Sequence, residues 1–226
     1  MIRAAAAIAI AAALGFSQSH AMKQGPHRME IVLERFDGSA WHSIDPGLVL
    51  AQGDRVRFRY HTNFDGYLYV ADLGTSGKYE QLFPREDTGQ DNRVVSSKEY
   101  QVPATSAAFR VAGPPGHDIV YWMVSPARLN EGAPRLPAAP PAPPKPTPGL
   151  IPRCDDSILR ARGDCVDSSA GPKLIPRGEP VPQDLSEAAG RGERDLVFMR
   201  EGKAAVISSP APLTGPVIYQ FRLAHK

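Results

Sequence analysis

Residues 55–73, RVRFRYHTNFDGYLYVADL, give the clearest indication of the fold class of this chain. In the first half, Val56, Phe58 and Tyr60 alternate with three arginines, which is the period-two pattern of a strand with one buried face. The second half, GYLYVADL, alternates in the same way. Asp65-Gly66 lies between the halves, and this pair is typical of hairpin turns because glycine readily adopts positive φ. The stretch therefore predicts two strands joined by a hairpin.

A calcium loop is the alternative interpretation of the same stretch. Asn63, Asp65 and Asp72 fall on ligand positions of such a loop. However, His61 occupies the first position, where calcium prefers oxygen, and the last position has a short Asp in place of a bidentate Glu. The flanking segments also alternate as strands, whereas the calcium loop joins two helices. We therefore predict no metal site here.

Strand-like runs continue on both sides of this pair. They are MEIVLERF, YEQLFP, NRVVSSKEYQVP, SAAFRVAG and HDIVYWMVS, with turn-forming glycines and prolines between them. Residues 119–124 are apolar on both faces, which predicts a central position in a sheet. Short strands at this spacing, without an amphipathic helix, predict an all-β fold with an antiparallel sandwich-like domain over residues 28–129.

The C-terminal half begins with a change of composition. Residues 133–152 are dense in proline and predict an extended linker. Within residues 153–226, the runs LVFMREG, AAVISSP and PVIYQFRLA predict further strands. Because such short strands are marginal alone, we expect them to pair with each other and to pack on the first sheet.

The first 21 residues have the pattern of a secretory signal peptide. Arg3 supplies the positive start, and residues 4–16 form an apolar run that is too short to span a bilayer. Ser19 and Ala21 are the small residues of a cleavage site, so we expect cleavage after Ala21. An uncleaved anchor is the alternative. No later segment is long and apolar enough to predict an integral membrane span, so the mature chain is expected to be periplasmic or secreted.

Two cysteines, Cys154 and Cys165, have ten residues between them. In an exported chain, an even pair predicts a disulfide, which would stabilise the fold by roughly 3 kcal/mol in the chain-entropy model. Two free thiols or a zinc site are the alternatives. Zinc is disfavoured because no second pair of ligands lies nearby and structural zinc uses four.

The overall charge excludes one class of partner. The chain has 26 Lys and Arg residues against 24 Asp and Glu residues, with no strongly basic stripe. Neutralising a phosphate backbone requires such a stripe. We therefore expect no nucleic-acid partner.

The sequence contains no recognisable catalytic motif. No Gly-x-Ser-x-Gly elbow occurs, and the histidines are scattered. We therefore predict no catalytic residues and no cofactor. An aromatic binding surface is the alternative to core packing for the aromatic side chains, and most aromatic residues alternate as core residues. The candidate binding residues are Trp41, Tyr67, Tyr69, Phe83 and Trp122.

The order of short motifs over residues 48–126 resembles a bacterial family known as domain of unknown function 4384 (DUF4384). The residues that carry the resemblance are Gly53-Asp54, Gly66-Tyr67-Leu68-Tyr69, Gly77, Leu82-Phe83-Pro84, Asn92, Val102-Pro103 and Pro115-Gly116. The resemblance implies a domain that is exported or attached to other modules, with no established catalysis.

These observations predict an exported, non-catalytic accessory or interaction module of the bacterial periplasm or cell envelope. Its expected partner is an envelope protein. One alternative is a β-domain that binds a small ligand or a glycan. The other is an unrecognised hydrolase.

Overall fold

Two antiparallel sheets make up the structure, a computed structural model that describes residues 26–129, 151–161, 163–175, 181–182, 185, 196–209 and 212–226. The strands are β1 (His27–Phe36), β2 (Trp41–Ser43), β3 (Arg55–Thr62), β4 (Gly66–Leu73), β5 (Tyr79–Phe83), β6 (Arg93–Val94), β7 (Glu99–Val102), β8 (Phe109–Arg110), β9 (Gly116–Ser125), β10 (Gly171–Lys173), β11 (Val197–Glu201), β12 (Ala204–Ser209) and β13 (Val217–His225). A short helix, α1 (Ser157–Ala161), lies between β9 and β10. This architecture confirms the predicted all-β sandwich.

Each sheet combines strands from distant parts of the chain. The first sheet has the order β11-β12-β1-β3-β7, with β2 pairing to β1 and β8 pairing to β3. The second sheet has the order β10-β13-β9-β4-β5, with β6 pairing to β4. The C-terminal strands thus belong to both sheets, since β12 pairs with β1 and β13 pairs with β9.

The prediction of a hairpin at Asp65-Gly66 is wrong. β3 lies in the first sheet and β4 in the second, so the chain crosses between sheets at this point. The apolar faces of the two strands belong to the same core cluster. Thr62 Oγ1 donates to the Phe64 carbonyl at 2.7 Å and so helps to hold the crossing. Gly66 has no positive φ; it is required because a Cβ there would lie 2.7 Å from the Ser125 carbonyl oxygen.

The same kind of crossing divides the run NRVVSSKEYQVP. The sequence pattern favours one strand, but the structure has β6 in the second sheet and β7 in the first. The turn between them contains Ser97, which has a φ of 64°. β5 ends at Phe83, because Pro84 has no amide hydrogen to donate to the sheet.

The core is built around Trp122, which is fully buried on β9. Its ring packs edge-on against Phe58 and Tyr60 from the first sheet, at 5.2 and 5.8 Å between ring centroids. β9 pairs with β13 on one side and β4 on the other, which confirms the central position predicted for residues 119–124. On the outer face of β9, Tyr121 and Met123 are also buried, in a cluster that includes Leu185.

The region after the linker contains the predicted disulfide. Cys154 and Cys165 are bonded, and α1 lies inside the loop that they close. The predicted signal peptide, residues 1–21, and residues 133–150 of the predicted linker lie outside the described residues. In the part of the chain that is described, no helix has the length and apolarity needed to cross a membrane.

Candidate functional site

The predicted aromatic binding residues do not form one surface. Phe83 and Trp122 lie in the core, at 1% and 0% exposed, and so cannot stack on a ligand at the surface. Tyr67 and Tyr69 are half-buried on the outer face of β4, and the Tyr69 hydroxyl accepts a hydrogen bond from the Leu129 amide at 3.0 Å. Tyr67 and Tyr69 alternate with Leu68 and Val70 along β4. This alternation alone does not show which face of the strand packs against the rest of the protein.

Trp41 lies on a different surface, the outer face of the first sheet. It stands opposite Phe36 in the β1–β2 register, with 5.3 Å between the ring centroids. The Arg57 guanidinium carbon lies over the Trp41 ring at 4.3 Å, and that of Arg55 lies over the Phe36 ring at 4.6 Å. Cation–π contacts of this kind contribute about 0.5–1 kcal/mol each at exposed sites. We call Phe36, Trp41, Arg55, Arg57 and Arg110 the arginine–aromatic face.

A buried glutamate fixes part of this face. Glu34 is only 7% exposed, and its carboxylate lies 2.7 Å from Arg57 Nε and 2.8 Å from Arg59 Nε. Arg59 also pairs with Glu99 at 3.1 Å. Glu34 and the Trp41 ring together fix the orientation of the Arg57 side chain.

Within the described part of the chain, two other arginines of the arginine–aromatic face lack the carboxylate partner that Arg57 has. Arg55 and Arg110 stand directly opposite each other in the β3–β8 register, and both are exposed. Neither forms an ion pair with a carboxylate among the residues that the structure describes. Like charges directly opposite on neighbouring strands are destabilising. This corner of the molecule therefore has two neighbouring positive charges with no carboxylate partner in the described ranges.

A second feature is a cavity of about 110 Å³ at one end of the sandwich. Three carboxyl groups line it at inward positions of the second sheet: Asp72 on β4, Glu80 on β5 and Asp118 on β9. The other lining residues are Val56, Phe58, Leu82, Phe109, Arg110, Val111, Val120 and Leu223. We call this the acidic cavity.

The three acids of the acidic cavity have different surroundings. Asp118 accepts the Thr75 amide at 2.8 Å and lies 3.3 Å from His225 Nε2. Glu80 pairs with Lys78 at 2.8 Å. Asp72 Oδ1 is buried and receives no hydrogen bond from any residue of the described ranges. Burial raises the pKa of Asp72 to about 8, and the nearby negative charges of Asp118 and Glu80 add to this effect.

A serine, a histidine and an aspartate meet near the disulfide loop, but their geometry does not support catalysis. Asp167 Oδ2 and Ser169 Oγ both contact the same ring nitrogen of His117, Nε2, at 3.1 and 3.3 Å. A catalytic triad instead places the acid and the nucleophile on opposite nitrogens. Moreover, Ser169 Oγ donates to Asp167 Oδ1 at 2.6 Å.

The same group has a clear structural role. Asp167 also accepts the Arg153 amide at 2.9 Å, so it joins the disulfide loop to His117 on β9. Burial works against ionisation of Asp167, but hydrogen bonds from Ser169 and Arg153 lower its pKa overall. The group therefore fastens the loop to the second sheet.

The described ranges contain no group of three or more His, Cys, Asp or Glu side chains that is placed to hold a metal ion. The stretch with the spacing of a calcium loop is divided between two sheets. The two ends of this stretch therefore do not surround a common position for a calcium ion.

Sequence reasoning missed the acidic cavity, although a signal was present. In GYLYVADL, Asp72 is in phase with Leu68 and Val70, and both of these face the core. Asp118 is likewise in phase with Val120 and Trp122 on β9. A carboxyl group at an inward position of a strand is costly unless it is paired, and so indicates a specific role.

Comparison with known proteins adds one finding. The model of a family described as "Domain of unknown function (DUF4384)" matches residues 49–128, which confirms the resemblance seen over residues 48–126. No curated protein and no solved structure matches the chain. The matched segment includes Arg55, Arg57 and Arg110 of the arginine–aromatic face, whereas Phe36 and Trp41 precede it.

Proposed function

We propose that this protein is an exported, non-catalytic interaction module of the bacterial periplasm or cell envelope. It docks an acidic surface of an envelope protein onto the arginine–aromatic face. The observation that carries the proposal is the exposed pair Arg55 and Arg110, which has no carboxylate partner within the described ranges. Arg55 lies over the Phe36 ring, which in turn packs against Trp41.

The residue types on this face support protein recognition. Tryptophan and arginine are enriched among the residues that dominate binding energy at protein interfaces. Trp41 combines a large apolar ring with partial exposure, and its neighbour Arg57 is already oriented by Glu34. A preorganised surface loses less side-chain entropy on binding, which favours affinity.

The charge on this face supports an acidic partner. An incoming carboxylate would relieve the repulsion between Arg55 and Arg110 and could form a bidentate contact with either guanidinium. Such complementarity mainly raises the association rate, and it weakens as salt screens the charges. We therefore expect complex formation to be sensitive to ionic strength.

Two features support export. The Cys154–Cys165 bond is of the kind that forms in oxidising compartments. The first 21 residues have the pattern of a cleaved signal. Cell fractionation followed by N-terminal sequencing tests this part: a mature chain that starts at Met22 in the periplasmic or secreted fraction is expected, and an intact N-terminus in the cytoplasm would contradict it.

In-cell cross-linking tests the partner. The wild-type protein and the variants Trp41→Ala and Arg55→Glu are expressed in the native host, cross-linked in intact cells and purified. The wild type is expected to yield one predominant envelope protein with an acidic surface, and both variants should lose it. Arg93→Glu is the matched control, because Arg93 is an exposed arginine on β6 of the other sheet.

The purified partner then separates this proposal from its alternatives. Affinity for the wild type should fall with added salt, and Arg55→Glu should weaken binding while Arg93→Glu does not. Equal binding by all variants, or the absence of any cross-linked protein, would remove the proposal. The glycan alternative has weaker support, because Phe83 and Trp122 are core residues.

A further inference from the structure

The acidic cavity combines apolar walls with carboxyl groups, although the core of a sandwich fold needs only apolar residues at inward positions. Its walls are mostly apolar, formed by Val56, Phe58, Leu82, Val120 and other core-facing residues. Three neighbouring strands of the second sheet, β4, β5 and β9, each contribute one carboxyl group to it. A ligand that fits these walls needs an apolar part for the aliphatic side chains and a polar part for the carboxyl groups.

The polar part of the ligand must supply a hydrogen-bond donor. Asp72 lines the cavity, and its Oδ1 is buried and has no donor from the described residues. Leaving a buried polar group without a partner costs about 1–3 kcal/mol. Leu68 and Val70, in phase with Asp72 on β4, are fully buried and apolar. Stability alone would favour an apolar residue at position 72.

The charged groups around Asp72 favour a cation over an anion or a neutral donor. Asp118 on β9 and Glu80 on β5 are both close enough to raise its pKa. Lys78, the cation that acts against this rise, is already paired with Glu80, and Arg85 lies 3.8 Å from the same carboxylate. His225 of β13 contacts Asp118. Arg110 on β8 also lines the cavity, but it forms no ion pair with these acids within the described chain.

We propose that the acidic cavity binds a primary alkylammonium group, with Asp72 accepting its hydrogen bonds and the apolar walls surrounding its carbon chain. An ammonium group provides three donors and a positive charge at one point. A metal ion fits less well, because the described residues offer no group of three protein ligands. Arg110 borders both this cavity and the arginine–aromatic face, but Asp72, Glu80 and Asp118 do not belong to that face. The proposal does not depend on the function proposed for the face.

Binding of a cation should be linked to release of a proton. With a pKa of about 8, Asp72 is mostly protonated at pH 7 in the unliganded protein. An adjacent ammonium favours the ionised carboxylate and lowers this pKa. Affinity should therefore rise as the pH increases towards 8, with a net proton released at pH 7.

Isothermal titration calorimetry with n-butylammonium tests the proposal. Titrations at pH 7 in two buffers of different ionisation enthalpy count the protons released. We expect saturable binding by the full mature chain with proton release. Asp72→Asn should weaken binding about 30-fold, as expected when one partner of a buried charge contact is neutralised, and should abolish the proton release. The exposed-acid variant Glu86→Gln should bind like the wild type.

A second measurement uses only the wild-type protein, so it does not depend on whether a variant folds. Affinity should increase along the series from ethyl- to pentylammonium because the walls are apolar, and n-butanol should bind more weakly than n-butylammonium. A flat series, equal binding of the alcohol, or the absence of saturable heat would overturn the proposal. Arg55→Glu should leave n-butylammonium binding unchanged, which separates this site from the docking face.

The ammonium group could belong to a small amine or to a lysine side chain of a protein. Nα-acetyl-lysine amide and a short lysine-containing peptide form one arm of the titration, and free n-butylammonium forms the other. Tighter binding of the lysine compounds assigns the site to proteins, and tighter binding of the free amine assigns it to small molecules. Failure of both arms would contradict the assignment.

Discussion

The Asp72 carboxyl should make the stability of this protein fall as the pH rises. Asp72 has a reference pKa of 3.8 when unfolded and of about 8 in the fold, chiefly because it is buried. The folded state therefore binds this proton more tightly than the unfolded state does. By linkage, the contribution of Asp72 to stability is greatest below about pH 4 and is lost as the pH rises to about 8.

The size of this effect follows from the difference between the two pKa values. A pKa that differs by one between the folded and unfolded states corresponds to about 1.4 kcal/mol. Over the interval from about pH 4 to pH 7, this gives an upper limit of about 4 kcal/mol for the stability lost through this one group. In Asp72→Asn the titration is absent. The variant should therefore gain stability relative to the wild type as the pH rises, by up to that amount at pH 7.

Urea unfolding measures this difference directly. Both proteins are unfolded at several pH values between about 4 and 9, with tryptophan fluorescence as the signal, since Trp122 lies in the core. Titrating groups that do not interact with Asp72 contribute equally to both proteins and cancel in the difference, so the coupled acids Asp118 and Glu80 are the main remaining contribution. Glu86→Gln, which changes an exposed acid, should track the wild type within about 0.5 kcal/mol at every pH. If the difference between Asp72→Asn and the wild type stays constant from pH 4 to pH 8, the raised pKa of Asp72 is wrong.

Three further predictions concern packing and the disulfide. Gly66→Ala should cost about 1–3 kcal/mol, because the new Cβ would lie 2.7 Å from a carbonyl oxygen of β9, while Gly215→Ala, in open space, should be nearly neutral by urea unfolding. Trp122→Ala should lower stability by about 3–5 kcal/mol in urea unfolding followed by far-UV circular dichroism, since the variant lacks the core tryptophan, and a loss below about 1 kcal/mol would argue against a core position. Replacing Cys154 and Cys165 together by serine should lower the free energy of unfolding by about 3 kcal/mol, and a reductant should produce the same loss in the wild type. Two alkylatable thiols in untreated mature protein would contradict the disulfide.

Local sequence patterns predict much of the fold. Alternation in RVRFRY places Val56, Phe58 and Tyr60 inward, and burial on β3 confirms this. The run PVIYQFRLA, predicted as a strand, forms β13, and its residues Val217, Tyr219, Phe221 and Leu223 lie in the core. These predictions succeed because successive side chains of a strand point to opposite faces, so a short segment defines its own buried side.

The candidate sites are harder to predict from the sequence than the strands are. The sequence predicts Trp41 as a binding residue, but its neighbours Phe36 and Arg57 come from other strands and meet it only through the register of the first sheet. Asp72 and Asp118 are far apart in the chain and become neighbours because β4 and β9 pair. No local pattern contains these pairings.

Local alternation is enough to define which segments are strands and which side of each strand is apolar, and the cysteine count is enough to predict the disulfide. Two other features arise only from the three-dimensional arrangement: the crossing between sheets at residues 63–65 and the cavity that three acids share. The two groups differ because alternation depends on backbone geometry within a few residues. The pairing of strands depends instead on which apolar faces can be buried together across the whole chain.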